Sequence, residues 1–180
     1  MPFGSYESSV DLAVQNAIRI MKESGAAAVK LEGGINRVEQ IKAIVNAGIP
    51  VMGHVGFTPQ SVHSLGGYKV QGRGEAAQKV FDDVRAVESA GAFAVVLEMI
   101  PADLASEISQ SVKIPTIGIG AGSGTDGQIL VWTDFAGLGN RSPSFSKAYL
   151  NLRDQLLEAA KTYRSEVTAA KFPSAEQNFS

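Results

Sequence analysis

A short pattern recurs along the chain: an amphipathic helical segment ends at a small residue followed by glycine, and an apolar run begins soon afterwards. The pattern occurs at Gly25, Gly48 and Gly91. Glycine directly after a helix is typical of the left-handed cap that ends it. Repeated helix–strand units of this kind predict a parallel sheet with helices packed outside it.

The predicted strands are five apolar runs, mostly rich in β-branched residues. They are residues 27–32, 49–56, 93–101, 114–122 and 129–134. The predicted helices begin at Ser8 or Ser9, before Val38, near Glu75, at Asp103 and at Ser146. A chain of 180 residues is short for a (β/α)8 barrel, which usually needs about 250 residues. The pattern therefore predicts either a small open doubly wound sheet or a barrel that lacks some units.

Composition excludes several classes of protein. The chain has no cysteine, so disulfides, zinc–thiolate sites and thiol nucleophiles are ruled out. A formal charge of −2 provides no basic surface for nucleic acid or an anionic membrane. Residues 1–7 lack the features of a signal peptide, and no apolar run is long enough to cross a bilayer. We expect a single cytoplasmic domain over residues 1–180, with a loosely held tail at 172–180.

The strand predicted at 93–101 carries one carboxylate, Glu98, close to its end. An uninterrupted apolar run is typical of a strand buried on both faces. A charged group there is costly unless it is paired, coordinated or used in chemistry. Because α/β enzymes place their sites at the carboxyl ends of strands, Glu98 is the first candidate for catalysis. An ion pair with a neighbouring loop is an equal alternative.

Lys30 and Glu32 are two residues apart on the first predicted strand, so they point to the same face. They could form a structural ion pair with each other. Alternatively, the lysine could hold an anionic substrate and the glutamate a hard cation, although one carboxylate alone makes a poor Mg²⁺ site. His54 ends the second strand, and the pattern alone favours a hydrogen-bonded structural histidine.

Two glycine-rich segments complete the candidate features. Residues 66–74 form a polar loop between units, which is more often functional than filler. Residues 118–122 depart from the GxGxxG phosphate-binding pattern, so close backbone packing at a strand end is the better interpretation.

An ordered series of motifs extends over nearly the whole chain. The motifs are MPFGSY (1–6), VKLEGG (29–34), GHVGFTPQ (53–60), GGYKVQGR (66–73), VLEMIP (96–101), GIGAG (118–122), DGQILV (126–131) and Phe172-Pro173. Each motif alone is weak, but the series in this order is highly specific. Together these motifs resemble the ketopantoate hydroxymethyltransferase family.

This resemblance implies α/β architecture of the (β/α)8 TIM-barrel type, in the phosphoenolpyruvate mutase and isocitrate lyase group, here with about five βα units. It implies transfer of a hydroxymethyl group from 5,10-methylenetetrahydrofolate to 3-methyl-2-oxobutanoate, giving 2-dehydropantoate in pantothenate biosynthesis through a Mg²⁺-stabilised enolate. On the matching motifs, Glu98 falls on the catalytic base, Glu32 on a metal-associated carboxylate, and Lys30 and His54 on substrate-binding positions. No folate-binding residue is assigned. The implied partners are these small molecules and further copies of the chain in a homo-oligomer.

The resemblance also implies about three further βα units before Met1, which carry a serine and two aspartates that bind metal and substrate. We therefore expect this chain alone to bind Mg²⁺ poorly and to be weakly active or inactive. A related Mg²⁺-dependent lyase or mutase of the same barrel group is one alternative, although the GGYKVQGR loop argues against it. A non-catalytic fragment that associates with full-length subunits is another.

Overall fold

The structure, a computed structural model, describes residues 1–179. Contacts divide the chain into two compact units, Met1–Ile129 and Leu130–Ser180. We call them the first and second unit and describe each by itself. No helix among residues 1–179 is long and apolar enough to cross a bilayer.

The first unit is built on a parallel sheet whose strands follow chain order, β1-β2-β3-β4-β5. The strands are β1 (Val29–Lys30), β2 (Val51–Gly56), β3 (Ala94–Glu98), β4 (Thr116–Ile119) and β5 (Gly127–Gln128). In the register of the sheet, Glu98 pairs with Gly56 on one side and with Ile119 on the other. The predicted parallel α/β sheet is therefore present, with Glu98 as the last residue of its central strand.

One helix precedes β1, and three helices connect the strands from β1 to β4. They are α1 (Val10–Ser24), α2 (Val38–Asn46), α3 (Ala77–Ser89) and α4 (Ala102–Ser111). Helix α1 begins as predicted, because the Ser9 side chain accepts a hydrogen bond from the Leu12 N–H at 3.1 Å. It ends at Gly25 with a left-handed φ of 69°. Helix α4 starts after Pro101, so Asp103 lies in its first turn rather than at the predicted cap position.

The core of the first unit forms where these helices cover the sheet. Its fully buried members include Leu31, Ile41, Val84, Leu97 and Ile108. These side chains come from the residue after β1 and from α2, α3, β3 and α4, so one continuous core joins the elements that carry the candidate site.

The second unit contains α5 (Trp132–Phe135) and α6 (Leu152–Thr168). Within it, the rings of Phe135 and Tyr149 stack at 5.0 Å, and Tyr163 meets Phe172 edge to face at 5.4 Å. No residue of α6 is buried. Ser180, the last residue of the predicted tail, lies outside the described residues.

The prediction of a strand at residues 129–134 is wrong. Strand β5 occupies Gly127–Gln128 instead, and the chain then turns into α5, where Val131 O accepts hydrogen bonds from the N–H groups of Asp134 and Phe135. Trp132, which lies in this apolar run, is 65% exposed. The apolar run thus belongs to a helical turn, which periodicity in such a short run does not distinguish from a strand.

Candidate active site

The carboxyl ends of β1, β2 and β3 bring the four candidate side chains together. Lys30 ends β1 and Glu32 follows it, while His54 lies in β2 and Glu98 ends β3. The parallel register places these positions along one edge of the sheet. Residues that are far apart in the sequence are thereby neighbours in the fold.

In these four side chains, basic and acidic groups alternate. Lys30 Nζ lies 3.2 Å from Glu32 Oε1. His54 Nδ1 lies 3.8 Å from the same Glu32 oxygen, and His54 Nε2 lies 3.1 Å from Glu98 Oε2. The imidazole therefore stands between the two carboxylates. The Lys30–Glu32 ion pair considered as a structural alternative is present, and it leaves the lysine side chain 39% exposed.

His54 is buried without a well-directed partner. Its side chain is 3% exposed, yet neither ring nitrogen makes an aligned hydrogen bond, even though Glu98 is close. A buried polar atom without a hydrogen bond is costly, and a ligand or a reaction that uses the atom is one explanation for it. The imidazole is thus available to a polar group that enters beside Glu98.

The backbone around Glu98 is held in an unusual conformation. Met99, the next residue, has a left-handed φ of 48°, which is uncommon for a residue that is not glycine. Its N–H donates to Ile119 O at 2.9 Å, and its carbonyl accepts from the Gln71 N–H at 2.8 Å. Strain of this kind persists where surrounding contacts enforce it, which is typical of functional sites.

Gly56 allows the neighbouring strand to approach Glu98. Its φ is 94°, and a Cβ atom at this position would lie 2.3 Å from the Glu98 carbonyl oxygen. That oxygen accepts the Phe57 N–H at 2.8 Å. Strand β2 and the turn after it thus fix the backbone of the candidate base.

Two residues that the sequence did not single out hold Glu32. The Gln60 backbone N–H donates to Glu32 Oε2 at 2.9 Å, and the Glu32 N–H donates to the Tyr6 hydroxyl at 3.2 Å. Tyr6 in turn donates to Gln60 Oε1 at 2.6 Å. Tyr6 and Gln60 lie in the motifs at 1–6 and 53–60, which is the sequence signal that could have identified them. No spacing rule connects either residue to Glu32.

Asp83 is a third residue that no sequence pattern singles out. It is buried on α3 and accepts hydrogen bonds from the Ile35 N–H at 2.9 Å and from Lys79 at 2.6 Å. A Cβ at Gly34 would lie 2.1 Å from the Asp83 carboxylate. The second glycine of the VKLEGG motif therefore makes room for Asp83, which anchors the loop after β1.

A cavity of about 340 Å³ opens beside Glu32. Its walls include Tyr6, Glu32, Ser61, Gln71 and Asp83. Glu98, Lys30 and His54 do not line it. Glu32 is thus the one of the four candidate residues that faces this space.

The glycine-rich loop at 66–74 approaches the site through its backbone. Gln71 bonds to Met99, as described above, and Tyr68 packs on the buried Phe57 ring at 5.2 Å. Lys69 and Arg73 are exposed. At the other glycine-rich segment, a Cβ on Gly122 would lie 2.4 Å from the Ala102 Cβ, which is the close packing that the sequence predicted.

The candidate side chains do not form a complete metal site by themselves. Among residues 1–179, no three His, Cys, Asp or Glu side chains are grouped as metal ligands. Both oxygens of Glu32 are already engaged, one by Lys30 and one by the Gln60 N–H. Because Mg²⁺ requires near-octahedral oxygen coordination, this donor set alone does not fit the ion.

The model of the ketopantoate hydroxymethyltransferase family matches residues 1–175. The chain belongs to this family. The 3-methyl-2-oxobutanoate hydroxymethyltransferase of Leifsonia xyli is 59% identical over 99% of this chain and 65% of its own length. The Corynebacterium efficiens and Nocardioides proteins of the same name are each 56% identical, over 67% and 61% of their lengths. The chain thus spans roughly two thirds of these family members.

The fold has a counterpart among solved structures. The crystal structure of phosphonopyruvate hydrolase matches with a TM-score of 0.51 and 14% identity, over 96% of this chain and 64% of that one. At this identity the match shows the fold alone. It confirms the predicted fold class, an α/β arrangement of parallel strands and helices that matches part of the hydrolase fold.

Proposed function

We propose that the chain carries active-site residues of a ketopantoate hydroxymethyltransferase in the cytoplasm. The reaction moves a one-carbon unit from 5,10-methylenetetrahydrofolate to 3-methyl-2-oxobutanoate and yields 2-dehydropantoate for pantothenate biosynthesis. Relatives at 59% and 56% identity bear the name of this activity. The observation that carries the proposal is the contact of Glu98 with a buried histidine at the end of the central strand.

In this proposal Glu98 is the general base. Its side chain is 14% exposed at the end of an otherwise apolar strand, so a substrate can reach it while most water is excluded. The carboxylate removes the proton from C3 of 3-methyl-2-oxobutanoate, and the electron pair of that C–H bond forms the enolate. A base within hydrogen-bond reach of such a proton typically contributes a factor of about 10²–10⁴ to the rate.

Lys30 and His54 bind the anionic parts of the substrate. The partly exposed ammonium of Lys30 pairs with the substrate carboxylate, while Glu32 restrains it from the other side. A ring nitrogen of His54 is free of aligned hydrogen bonds and can serve a substrate oxygen. The enolate carbon then bonds to the methylene carbon of the folate, both bonds from that methylene carbon to the folate nitrogens break, and water supplies the hydroxyl group. The two nitrogens take up the proton removed from C3 and the remaining proton of the water.

The Mg²⁺ and the folate implied by the family resemblance remain proposals. Glu32 is the proposed metal-associated carboxylate, but it would need further oxygen ligands, because both of its oxygens have partners. We expect this chain to bind Mg²⁺ weakly in a calorimetric titration, with a Glu32→Gln variant as the control. Affinity equal to that of the Leifsonia xyli relative would contradict this expectation.

A homo-oligomer is the proposed assembly. Helix α6 has no buried residue, and Leu156, Tyr163 and Val167 are exposed along one of its faces. Apolar side chains at this spacing form a stripe that suits another protein surface. This stripe also favours the alternative of a fragment that associates with full-length subunits. Light scattering of the chain alone tests for the homo-oligomer. Light scattering of the chain mixed with a full-length relative tests for the fragment that associates with full-length subunits.

Isotope exchange tests the catalytic proposal without requiring folate. The chain is incubated with 3-methyl-2-oxobutanoate and Mg²⁺ in D₂O, and loss of the C3 proton signal is followed by NMR. We expect slow but measurable exchange above a protein-free control, and 2-dehydropantoate once methylenetetrahydrofolate is added. No exchange from a chain that circular dichroism shows to be folded would reject the proposal that these residues suffice for enolisation.

A further inference from the structure

Glu32 is held by a small hydrogen-bonded network that joins three separate parts of the first unit. Tyr6 precedes α1, Glu32 follows β1, and Gln60 lies in the turn after β2. The Tyr6 side chain is buried, its residue being 1% exposed, and its hydroxyl both accepts from the Glu32 N–H and donates to Gln60 Oε1. Gln60 returns to Glu32 through its own backbone N–H.

This network determines which oxygen of Glu32 faces the reacting groups. Because the Gln60 N–H occupies Oε2, Oε1 is left toward Lys30 Nζ at 3.2 Å and His54 Nδ1 at 3.8 Å. A rotation of the carboxylate would lengthen both contacts. The site therefore depends on the network for the position of the lysine ammonium and for the charge beside the imidazole.

The tyrosine is suited to this task because its hydroxyl has a partner on each side. It accepts from the Glu32 N–H at 3.2 Å and donates to Gln60 Oε1 at 2.6 Å. A buried hydroxyl with both a donor and an acceptor partner also has little freedom to rotate. The network is thus a fixed support for Glu32.

We propose that Tyr6 and Gln60 are positioning residues, which fix the orientation of the Glu32 carboxylate and through it control enolisation of the substrate beside Glu98. The inference rests on the proposed function for its catalytic consequence. The geometric part, in which Tyr6 holds the backbone of Glu32 and Gln60 holds its carboxylate, can be measured without any activity.

The first measurement is the carboxyl ¹³C NMR resonance of Glu32 at fixed pH, assigned with the Glu32→Gln variant. Tyr6→Phe removes one oxygen atom and should displace or broaden this resonance. Tyr163→Phe makes the same change at an exposed tyrosine and should leave it unchanged. An unchanged resonance in a folded Tyr6→Phe protein would overturn the inference, whether or not the chain is active.

The second measurement is C3 exchange at saturating substrate. We expect Tyr6→Phe to lower the rate about tenfold with little change in KM, since supporting residues around a site typically cost 10–100-fold. In a Glu32→Gln background, the same change should have no further effect, because Tyr6 acts through Glu32. Additive losses in the double variant, or an unaltered rate in Tyr6→Phe, would overturn the inference.

A Gln60→Ala variant covers the case in which Tyr6→Phe does not fold, because Gln60 is only partly buried. It removes the acceptor of the Tyr6 hydroxyl and should move the same Glu32 resonance. If the wild-type chain shows no exchange at all, the proposed function fails for this chain. The Glu32 resonance still decides whether Tyr6 and Gln60 position the carboxylate.

Discussion

The two units of the chain differ in how they bury apolar side chains. In the first unit, strands and helices enclose a continuous core that includes Val51, Val95 and Ile44. In the second unit, α6 buries none of its residues, although Leu156 and Val167 lie on it. All four candidate site residues belong to the first unit. The candidate site is therefore part of the unit that has a buried core, while α6 in the second unit exposes apolar side chains.

Paired substitutions of one leucine in each unit should show the largest stability difference. Leu97 is fully buried in β3, whereas Leu156 on α6 is about half exposed. Leu97→Ala should lower the free energy of unfolding by about 2–5 kcal/mol, and Leu156→Ala should change it by about 0.5 kcal/mol or less. Urea unfolding followed by circular dichroism measures both. A similar loss in both variants would mean that α6 is packed as tightly as β3.

A smaller effect is expected for tyrosine titration at high pH. Because burial raises the pKa of Tyr6 to about 12, the folded state keeps its proton where the unfolded state has lost it. The resulting stabilisation is complete below the ordinary tyrosine pKa of about 10 and is lost as the pH rises toward about 12. Its upper bound is about 2–3 kcal/mol.

The matched tyrosine variants isolate this effect. Tyr6→Phe should remove the alkaline decrease in stability, while Tyr163→Phe in the second unit should retain it. Urea midpoints between neutral and alkaline pH provide the measurement. An alkaline decrease that persists in Tyr6→Phe would assign it to another group.

The smallest effect is expected in acid. Hydrogen bonds from the Thr116 backbone N–H and hydroxyl hold the pKa of Asp126 below its usual range. A carboxylate with a lowered pKa stabilises the folded state above its ordinary pKa, and this contribution disappears as the pH falls through the lowered value. Since Asp126 is exposed, we expect less than about 1 kcal/mol.

Asp126→Asn should flatten the acid limb of the stability curve, whereas Asp154→Asn on α6 should leave it unchanged. Thermal unfolding at a series of pH values from neutral to acid distinguishes the two variants. Equal acid sensitivity in wild type and Asp126→Asn would refute the assignment to Asp126.

Features that depend on local sequence could be predicted. The cap at Gly25 follows from glycine after an amphipathic helix, and the common face of Lys30 and Glu32 follows from strand alternation. The place of Glu98 at a strand end follows from the apolar run before it. In each case, neighbouring residues alone determine the structure.

Features that depend on distant contacts could not be predicted. The partners of Glu32 come from Tyr6 and Gln60, which no local pattern connects to it. The left-handed conformation of Met99 is imposed by bonds to Ile119 and Gln71. Apolar residues around Trp132 resembled a strand because short apolar runs carry no decisive period.

The central claim is that Glu98 removes the C3 proton, and a matched pair of glutamate variants tests it most directly. C3 exchange in D₂O is compared among wild type, Glu98→Gln and Glu107→Gln, the last being the same change on the exposed side of α4. Loss of the base should reduce the rate by about 10²–10⁴-fold, while Glu107→Gln should match wild type. Equal exchange rates in wild type and Glu98→Gln would contradict the assignment of Glu98 as the base.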